Sequence, residues 1–400
     1  MRSVTIVGAS MAGVRAAQAM RRAGFDGVIT VVGDETHTPY DRPPLSKAFL
    51  VADDPSTAVR PVVPDLDSLG LEWRRGRSAV SLDAATLAVT LDDGEVLAAD
   101  GVVLACGATA RRLPGTEDLA GVHVLRTLDD AIGLRADLDA SPRRVVVIGA
   151  GFIGAEVAAS CRTRGLDVTV VEALSLPLGR VLPPDLGRWC ADLHRAHGTE
   201  LRLGVGVDGL DADGSGRVHA VRLADGTVIA ADVVVVGIGV IPNTQWLDGS
   251  GLTIDNGVVC DATTLAAPGI VAAGDVARWR NPLFGESMRL EHWENAVDMG
   301  VHAGTRLLAA DGDAEEFAPV PWFWSDQYDR KIQLAGRCDA GDSVELIEGT
   351  FDDARFVALI GRAERLKGVF GVNRPAVVNR WRQHIADGIS WDDALQLSSG

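Results

Sequence analysis

The chain has 400 residues and a formal net charge of −17. Its length predicts two or three domains with a sizeable core. The acidic charge argues against binding to nucleic acid or to an anionic membrane surface, because both partners are negatively charged. No apolar run is long enough to span a bilayer, and we expect no targeting leader, since an apolar strand begins at about residue 4.

The cysteines favour a reduced, cytoplasmic protein. There are five, at Cys106, Cys161, Cys190, Cys260 and Cys338. None forms a C-x-x-C or similarly close pair. We therefore expect structural thiols, and no disulfide that accepts electrons.

Residues 143–172 predict a strand, a glycine turn, a helix and a second strand. The turn carries Gly149, Gly151 and Gly154 in G-x-G-x-x-G spacing. These glycines would allow a tight turn, leave room for a pyrophosphate, and let the helix pack closely on the strand. Glu172 ends the second strand, where an acid can bind a ribose 2′-OH and would repel a 2′-phosphate. We predict NADH rather than NADPH; the alternative is a glycine turn of some other α/β unit.

Residues 4–34 repeat this pattern near the start of the chain. Gly8 and Gly13 align with the first and third glycines, and Ser10 replaces the middle one. Serine is small enough to leave the motif open to a phosphate. Glu35 follows the second strand of this copy. The sequence therefore predicts two dinucleotide sites.

A second internal repeat supports two similar domains. Residues 87–107 and 218–239 both predict alternating strands around an Asp-Gly hairpin, followed by a buried strand that ends in glycine. Each Rossmann unit would thus be followed by a small antiparallel meander and a return strand. Crossovers at 113–115 and 240–243 would insert one domain into the other.

A proline-rich loop at residues 37–50 separates the first Rossmann unit from its meander. Three prolines stiffen it, and it carries Arg42 and Lys47. Ser46 is expected to cap a short helix. A stiff loop that holds cations next to a nucleotide-binding unit predicts a functional role, and the alternative is an ordinary loop.

Asp275 follows a predicted short strand at residues 270–273. The carboxyl end of a strand in an open α/β sheet is where such sheets bind ligands. The carboxylate of Asp275 can accept hydrogen bonds from a ribityl chain, or it can serve as a helix N-cap.

Residues 289–300 predict a helix that carries His292 and Trp293. His292 is a tempting acid or base. We expect it to be structural, or only to line a pocket.

The composition changes after the acidic linker at residues 311–316. Residues 321–328, PWFWSDQY, hold a large share of the aromatic side chains. The remainder predicts four strands and a final helix from about Pro375, which indicates a separate small α+β domain. The strands are expected at 331–335, 343–348, 356–360 and 366–371.

Four motifs occur in order along the chain: PYDRPPLSK, GAGFIGAE, AAGD and FWSDQY. With them the chain resembles the flavoprotein ferredoxin reductases of oxygenase systems, a family that includes putidaredoxin reductase and the reductases of Rieske-type aromatic dioxygenases. The apoptosis-inducing factor flavoproteins are more distant relatives. The resemblance covers essentially the whole chain and implies a glutathione-reductase-like α/β fold. It has two Rossmann-like domains, for FAD and NAD, one inserted in the other, plus a C-terminal α+β interface domain.

The expected boundaries follow from this resemblance and from the crossovers. The FAD-binding domain is discontinuous and comprises residues 1–112 and 241–318. The NAD-binding domain comprises residues 113–240, and the interface domain residues 319–400.

The resemblance also implies which residues hold FAD. The ADP half would be held by Gly8, Ser10, Gly13 and Glu35. The pyrophosphate and flavin would be approached by Arg42, Lys47, Asp275 and Trp293. One departure is Cys106, which stands where many of these flavoproteins have threonine in an A-T-G turn.

The NAD site and the reacting centre are implied in the same way. NADH would be bound by Gly149, Gly151, Ile153, Gly154 and Glu172. Beside the flavin, Lys47 would pair with Glu156, and Trp324 would supply an aromatic face. No metal site is expected.

The implied activity passes electrons from NADH through FAD, one at a time, to a [2Fe–2S] ferredoxin that serves a cytochrome P450 or a Rieske-type oxygenase. Such ferredoxins are typically acidic, so Arg289 and the basic residues between 355 and 382 are expected to form the docking face; the alternative is an ordinary solvated surface. We expect a monomer or weak dimer. The alternative functions are an NADH-responsive signalling flavoprotein and an NADH oxidase that uses O2 directly.

Overall fold

The computed structural model describes residues 1–362 and 364–398. Its internal contacts divide the chain into two compact units, each built from three segments. The first unit comprises Met1–Asp41, Arg60–Thr109 and Ile241–Pro321, and the second Arg42–Val59, Ala110–Val240 and Trp322–Gly400. The three-domain division stays a prediction. Residues 363, 399 and 400 of the predicted interface domain lie outside the described residues.

The described residues form eight α-helices: α1 (Met11–Arg22), α2 (Ala48–Val51), α3 (Leu128–Asp139), α4 (Phe152–Thr163), α5 (Pro184–Ala196), α6 (Trp293–Leu308), α7 (Pro375–Ala386) and α8 (Trp391–Ser398). The strands of the first half are β1 (Ser3–Val7), β2 (Val28–Gly33), β3 (Glu72–Arg75), β4 (Ala79–Asp83), β5 (Ala88–Leu91), β6 (Val96–Ala98), β7 (Gly101–Leu104), β8 (Ala108–Ala110), β9 (Val122–His123), β10 (Arg144–Ile148), β11 (Asp167–Glu172) and β12 (Glu200–Leu203). Those of the second half are β13 (Val207–Ala212), β14 (Val218–Leu223), β15 (Val228–Ala230), β16 (Val233–Val236), β17 (Val240–Pro242), β18 (Val258–Cys260), β19 (Leu265–Ala267), β20 (Ile270–Ala272), β21 (Ala277–Asn281), β22 (Glu286–Met288), β23 (Trp322–Gln327), β24 (Arg330–Gly336), β25 (Ser343–Glu348), β26 (Phe356–Arg362) and β27 (Arg365–Val372).

The main sheet of the first unit has six strands in the order β19-β20-β7-β1-β2-β3. β1 pairs in parallel with β2 and with β7, and β7 in turn with β20. The central strands are continuous apolar runs because both faces of a parallel sheet are buried. This is the Rossmann-like arrangement that the sequence predicts for the N-terminal repeat.

A five-stranded parallel sheet in the second unit has the order β12-β11-β10-β16-β9. β10 is its centre and pairs in parallel with β11 and β16. β10 and β16 thus correspond to β1 and β7 of the first unit. The internal repeat predicted from the sequence is therefore a repeat of sheet topology.

The two Asp-Gly hairpins are also present, one in each unit. Gly94 lies in the turn between β5 and β6, and Gly226 in the turn between β14 and β15. Both have positive φ, at 88° and 85°, a conformation that glycine adopts without steric cost.

The C-terminal sheet is antiparallel, with the order β23-β24-β27-β26-β25. Strand β23, which the sequence analysis did not assign, alternates half-buried and buried side chains. Its buried residues are Phe323, Ser325 and Gln327, so two polar side chains point inward from this strand. Helix α7 begins at Pro375, as predicted.

Helices α1 and α6 of the first unit touch backbone to backbone. A Cβ added to Gly300 would lie 2.5 Å from the carbonyl oxygen of Ala12, and one added to Gly304 would lie 2.5 Å from that of Ala16. Only glycine fits at either position. This packing holds α6, which begins at Trp293, directly against α1.

The predicted helix at residues 289–300 begins later than expected. α6 starts at Trp293, and His292 is its N-cap residue with extended backbone, φ −101° and ψ 140°. The preceding residues continue from the hairpin of β21 and β22, and the side chain of Arg289 is hydrogen-bonded to the backbone of Asp275.

In the described residues, no helix is both long and apolar enough to cross a membrane.

Candidate functional site

The first glycine turn packs against the return strand of its own sheet. Gly8 has φ +123°, and a Cβ there would lie 2.0 Å from the carbonyl oxygen of Ala105. A Cβ on Gly13 would lie 1.9 Å from the carbonyl oxygen of Gly8. Ser10 is the N-cap residue of α1, so the unpaired N–H groups of the first helical turn follow it directly.

The second glycine turn reproduces this geometry. Gly149 has φ +102°, and a Cβ there would lie 2.3 Å from the carbonyl oxygen of Gly237. A Cβ on Gly154 would lie 2.0 Å from the carbonyl oxygen of Gly149. Apart from its chain neighbours, no heavy atom of the described residues lies within 4 Å of a Cβ built on Gly151, so the turn is open there. Ile153 in the first turn of α4 is 44% exposed.

The acidic residue after each second strand is hydrogen-bonded locally. Oε2 of Glu172 accepts the backbone N–H of Ala150 at 2.7 Å, and its Oε1 accepts that of Leu174 at 2.8 Å. In the first unit, the hydroxyl of Tyr40 donates to Oε2 of Glu35 at 2.5 Å. Glu35 lies two residues beyond the end of β2, whereas Glu172 is the last residue of β11.

Asp275 is buried in a 3₁₀ turn that follows β20 at the carboxyl edge of the first unit's sheet. The N-cap residue of this turn is Ala273, so the alternative role of Asp275 as an N-cap is wrong. Nη1 of Arg289 donates to the carbonyl oxygen of Asp275 at 3.0 Å, and its Nη2 pairs with Glu291 at 2.7 Å. Arg289 is thus largely buried, and its side chain holds the backbone of Asp275 in place.

Trp293 begins α6 and is held by a side chain of the proline-rich loop. Its Nε1–H donates to Oδ1 of Asp41 at 2.6 Å. This hydrogen bond fixes the orientation of the half-buried indole.

The proline-rich loop continues into the second unit, where it carries Arg42 and Lys47. Nη1 of Arg42 donates to the carbonyl oxygen of Arg126 at 2.7 Å. The prediction that Ser46 caps a helix is wrong. Ser46 ends a 3₁₀ turn, and the N-cap residue of α2 is Lys47. The Ser46 hydroxyl instead donates to Glu156 at 2.5 Å, because a buried carboxylate is the stronger acceptor.

Lys47 and Glu156 form an ion pair in the second unit, with Nζ 2.6 Å from Oε2. Lys47 is 19% exposed and Glu156 only 3%. The other carboxylate oxygen, Oε1, accepts the hydroxyl of Ser325 at 2.8 Å. An ion pair as buried as this is stable only when its remaining lone pairs are satisfied. The two serines meet that requirement.

Two arginines hold the backbone that follows Lys47, a feature that the sequence analysis missed. Nη1 of Arg135 donates to the carbonyl oxygens of Phe49 and Ala52, at 3.1 and 2.8 Å. Nη1 of Arg164 donates to that of Leu50 at 2.6 Å. They neutralise the carbonyl end of α2, whose last groups have no partner within the helix. Neither arginine belongs to a recognisable motif, so only the fold reveals them.

Trp324 lies on the outward side of β23, next to Trp322. Their ring centroids are 5.4 Å apart, and Nζ of Lys331 lies 5.9 Å from the Trp324 ring. Arg382 lies over Trp322 at 6.0 Å. Aromatic side chains and cations therefore share this face of the C-terminal sheet.

The basic stretch at residues 355–382 is partly neutralised by acids of its own domain. Arg362 pairs with Asp342 at 3.0 Å, and Lys367 pairs with Asp339 at 2.6 Å. Arg374 pairs with Glu348 at 2.6 Å. The charge available to a docking partner is smaller than the sequence indicates, and the docking place stays a prediction.

Residues 2–300 match the family model described as pyridine nucleotide-disulphide oxidoreductase, and residues 322–397 match the one described as reductase C-terminal. The chain belongs to the pyridine nucleotide-disulphide oxidoreductase family. Among its relatives is the rhodocoxin reductase of Rhodococcus erythropolis, 42% identical over 96% of this chain and 88% of that protein. Another is the ferredoxin–NAD(+) reductase component of the p-cumate 2,3-dioxygenase system of Pseudomonas putida, 36% identical over 94% of this chain and 92% of that protein.

A solved structure of high similarity is that of the covalent putidaredoxin reductase–putidaredoxin complex. It is 34% identical in sequence, has a TM-score of 0.91, and covers 97% of this chain and 93% of that chain. The resemblance and the fold predicted from the sequence are therefore confirmed. The predictions that the chain is an oxidoreductase of this family, and that the family uses FAD with NAD(H), are also confirmed.

This member of the family has no disulfide among its five cysteines, all of which lie in the described residues. Burial raises the pKa of the Cys106 thiol to about 11 and that of each of the other four to about 12. Sγ of Cys106 donates to the carbonyl oxygen of Asn243 at 3.2 Å. Four of the thiols are buried and Cys106 is half-buried. Neutral thiols are poor nucleophiles, so none of the five is a candidate redox centre.

Proposed function

We propose that the chain is an NADH-dependent ferredoxin reductase of an oxygenase system, whose electron acceptor is a [2Fe–2S] ferredoxin. One observation carries the proposal. The chain holds two glycine-turn sites of matching geometry, while its cysteines include no disulfide that accepts electrons. The electrons must therefore leave for an external acceptor. Relatives named as reductases of rhodocoxin, of putidaredoxin and of dioxygenase systems supply the class of that acceptor.

FAD fits the first unit. Gly8 and Gly13 let the turn and the start of α1 pack tightly on the backbone of Ala105 and of the turn itself. The first N–H groups of α1 then stand at the turn, where a pyrophosphate can bind. We assign the ADP half to these two glycines with Ser10 and Glu35. Arg42, Lys47, Asp275 and Trp293 are assigned to the rest of the cofactor.

NADH fits the second unit in the same way. Gly149 and Gly154 shape the turn, Gly151 leaves it open, and Ile153 is exposed beside it. The carboxylate of Glu172, bound to the same turn, supports NADH over NADPH because a 2′-phosphate would meet a like charge there.

FAD, when bound, accepts two electrons from NADH and releases them one at a time. The protein supplies charge and shape around this chemistry. Lys47 brings a positive charge that favours an electron-rich ring, and Glu156 prevents the lysine from being buried unpaired. Trp324 offers an aromatic face that excludes water. No protein acid or base is assigned.

The remaining assignments are finer proposals. We retain the three domains with the boundaries given above, and a ferredoxin docking face on residues 355–382. Arg289 is withdrawn from that face, because its side chain is largely buried and bound to Asp275 and Glu291. Because Arg362, Lys367 and Arg374 already pair with acids of this chain, the association with a ferredoxin should depend only modestly on salt. Five unpaired thiols support a cytoplasmic location.

The experiment that tests this function compares acceptors for the flavin-loaded protein. NADH oxidation is followed with a [2Fe–2S] ferredoxin, with O2 alone, and with neither. We expect strong stimulation by the ferredoxin. Equal rates with O2 alone would favour an NADH oxidase. Fast reduction followed by a long-lived reduced complex that ignores several ferredoxins would favour the signalling alternative.

A further inference from the structure

Tyr328 occupies the turn between β23 and β24 in a backbone conformation that tyrosine seldom adopts. Its φ is +56°, and the pairing of Gln327 with Arg330 closes the turn around it. A bulky side chain in the left-handed region crowds its own backbone, so such a residue persists only where its surroundings hold it. We therefore expect the side chain of Tyr328 to be held firmly.

The side chain of Tyr328 is held by the end of α5 and the residues that follow it. Its hydroxyl oxygen lies 2.8 Å from Nδ1 of His194 and 2.8 Å from Oγ1 of Thr199. Its ring stacks on His197, with centroids 3.9 Å apart and an interplanar angle of 11°. His194 and Thr199 are both buried, so water does not replace the hydroxyl as their partner. Whichever way the hydrogens point, one phenol oxygen joins both of them.

The end of α5 is in turn held by α4, the helix that carries Glu156. Nε of Arg162, in the last turn of α4, donates to the carbonyl oxygen of His197 at 3.1 Å. Nη1 of Arg162 donates to that of Leu166 at 2.6 Å, which fixes the guanidinium. Tyr328 is thus connected to α4 through the end of α5.

Strand β23 also contacts α4 directly, at two points nearer its start. The ring centroids of Phe323 and Phe152 are 4.1 Å apart. Further along, Oγ of Ser325 lies 2.8 Å from Oε1 of Glu156. Between these contacts the helix advances by four residues, about 6 Å, and the strand by two residues, about 6.6 Å. The two elements therefore advance together, in the same direction.

Tyr328 continues this series of contacts. It lies three residues beyond Ser325, about 10 Å along an extended chain. Arg162 lies six residues beyond Glu156, about 9 Å along α4. β23 is therefore attached to α4 at three successive places. A slip by one residue would move every side chain of β23 by about 3.3 Å and would turn Trp324 to the opposite face of the strand.

We propose that Tyr328 is a positioning residue, whose hydroxyl fixes β23 along α4 and thereby fixes the indole of Trp324. The inference rests on the proposed function only where Trp324 is assigned to the flavin. The contacts of Tyr328 lie within the second unit and involve no cofactor. Tyr328 is not assigned to the reacting atoms and acts only through β23.

Tyr328→Phe tests the proposal, because it keeps the ring on His197 and removes the hydroxyl. Amide hydrogen exchange of the flavin-loaded protein is followed by mass spectrometry. We expect residues 322–327 to exchange about tenfold faster than in the wild type, the effect of losing roughly one or two hydrogen bonds that hold the strand. Unchanged exchange of this segment would overturn the proposal.

The fluorescence lifetime of the bound flavin supplies a readout that a merely structural role would not move. An aromatic ring in contact with a flavin quenches its emission by electron transfer, and the quenching falls steeply with distance. Trp324→Leu measures the share of the quenching that comes from Trp324. Tyr328→Phe should lengthen the lifetime part of the way toward that of Trp324→Leu. A wild-type lifetime in Tyr328→Phe, where Trp324→Leu lengthens it, would overturn the proposal.

Trp189→Phe is the matched control. Trp189 lies on α5, and its Nε1–H donates to the carbonyl oxygen of Phe351 at 3.1 Å. This variant also removes one hydrogen bond made by α5 and keeps an aromatic ring, but Phe351 follows β25 and does not belong to β23. Exchange of residues 322–327 and the flavin lifetime should stay at their wild-type values. Changes equal to those of Tyr328→Phe would show a general loosening of α5 and overturn the proposal.

Thr199→Val keeps the shape of the side chain and removes one partner of the Tyr328 hydroxyl, so it serves if Tyr328→Phe does not fold. It should speed the exchange of residues 322–327, whereas Thr199→Ser should not. Combined with Tyr328→Phe it should add nothing, since Thr199 acts through the hydroxyl. A further rise in the double variant would overturn that coupling.

The two proposals fail separately. Hydrogen exchange needs neither NADH nor a ferredoxin, so failure of the wild-type protein to reduce a ferredoxin would count against the proposed function alone. An unchanged flavin lifetime in Trp324→Leu would count against the place of Trp324 beside the flavin, and the exchange of residues 322–327 would still decide whether Tyr328 fixes β23.

Discussion

The backbone N–H of Ala150 donates to Oε2 of Glu172 at 2.7 Å, so the acid that ends β11 is bound to the glycine turn itself. The turn and the acid belong to different elements, and this hydrogen bond fixes the distance between them. A negative charge therefore stands at the place where the second strand of a Rossmann unit meets a ribose.

Replacing Glu172 by glutamine should relax the choice between NADH and NADPH. Glutamine retains an oxygen for the Ala150 N–H, loses the acceptor for the Leu174 N–H, and removes the charge that repels a 2′-phosphate. We expect the ratio of kcat/KM for NADPH to that for NADH to rise by about 10- to 100-fold, some 1.4–2.8 kcal/mol of differential binding. Glu200→Gln, on the neighbouring strand β12, is the control. A wild-type preference for NADPH would refute the role of Glu172.

Two alanine substitutions in the same turn should have different effects. In Gly154→Ala the new Cβ would lie 2.0 Å from the carbonyl oxygen of Gly149, and the resulting overpacking should lower the free energy of unfolding by about 1–3 kcal/mol. In Gly151→Ala the Cβ meets no atom within 4 Å, so stability should be kept while NADH binds more weakly. Thermal unfolding and NADH titration separate the two. Equal destabilisation by both would contradict this account of the turn.

The Lys47–Glu156 pair should be separable into a stability effect and a functional one. Lys47→Met alone leaves a buried carboxylate without its cation and should lower the free energy of unfolding by about 3–5 kcal/mol. The double variant Lys47→Met with Glu156→Met should recover most of that loss. It should not recover the rate at which NADH reduces the flavin, since the positive charge is absent. Recovery of both would show that the pair is only structural.

The stability of the second unit should depend on pH through His194. Burial lowers the pKa of this histidine from 6.5 to about 4, while hydrogen bonding to Gln327 opposes the shift and the nearby His197 adds to it. Between these values the unfolded chain binds a proton that the folded protein does not. Stability is therefore lost as the pH falls from about 6.5 to about 4, by roughly 3 kcal/mol.

His194→Gln should remove this loss of stability between pH 6.5 and pH 4. Denaturant unfolding at several pH values, compared with the exposed control His219→Gln, measures the difference. The variant also loses the hydrogen bond between Nδ1 and the Tyr328 hydroxyl, 2.8 Å apart, so its stability at neutral pH should fall. The pH dependence is the decisive quantity. A slope equal to that of the wild type would exclude His194 as its source.

The sequence predicted what depends on local pattern. The two glycine turns, the Asp-Gly hairpins and the parallel strands follow from spacing and from apolar runs. It did not predict the start of α6 at Trp293, because the hydrogen bond from Arg289 to the backbone of Asp275 joins residues 14 positions apart that no local periodicity relates. The role of Ser46 was missed for the same reason.

The candidate site shows the same limit. The resemblance supplied Lys47 and Glu156, which lie 109 positions apart, but not the serines that satisfy the carboxylate. Ser325 lies 169 positions from Glu156, and its hydroxyl has a function only in the folded sheet. The ion pairs of Arg362, Lys367 and Arg374 likewise appear only when β25 and its neighbouring turns face the basic stretch.

Stopped-flow absorbance without oxygen tests the central claim most directly. The flavin-loaded protein is reduced by NADH and then mixed with a [2Fe–2S] ferredoxin. We expect rapid bleaching of the flavin by NADH and slower bleaching by NADPH. The ferredoxin should then re-oxidise the flavin rapidly, at a rate that falls at high salt. A reduced flavin that persists with each of several ferredoxins, but is re-oxidised rapidly when O2 is admitted, would contradict the account.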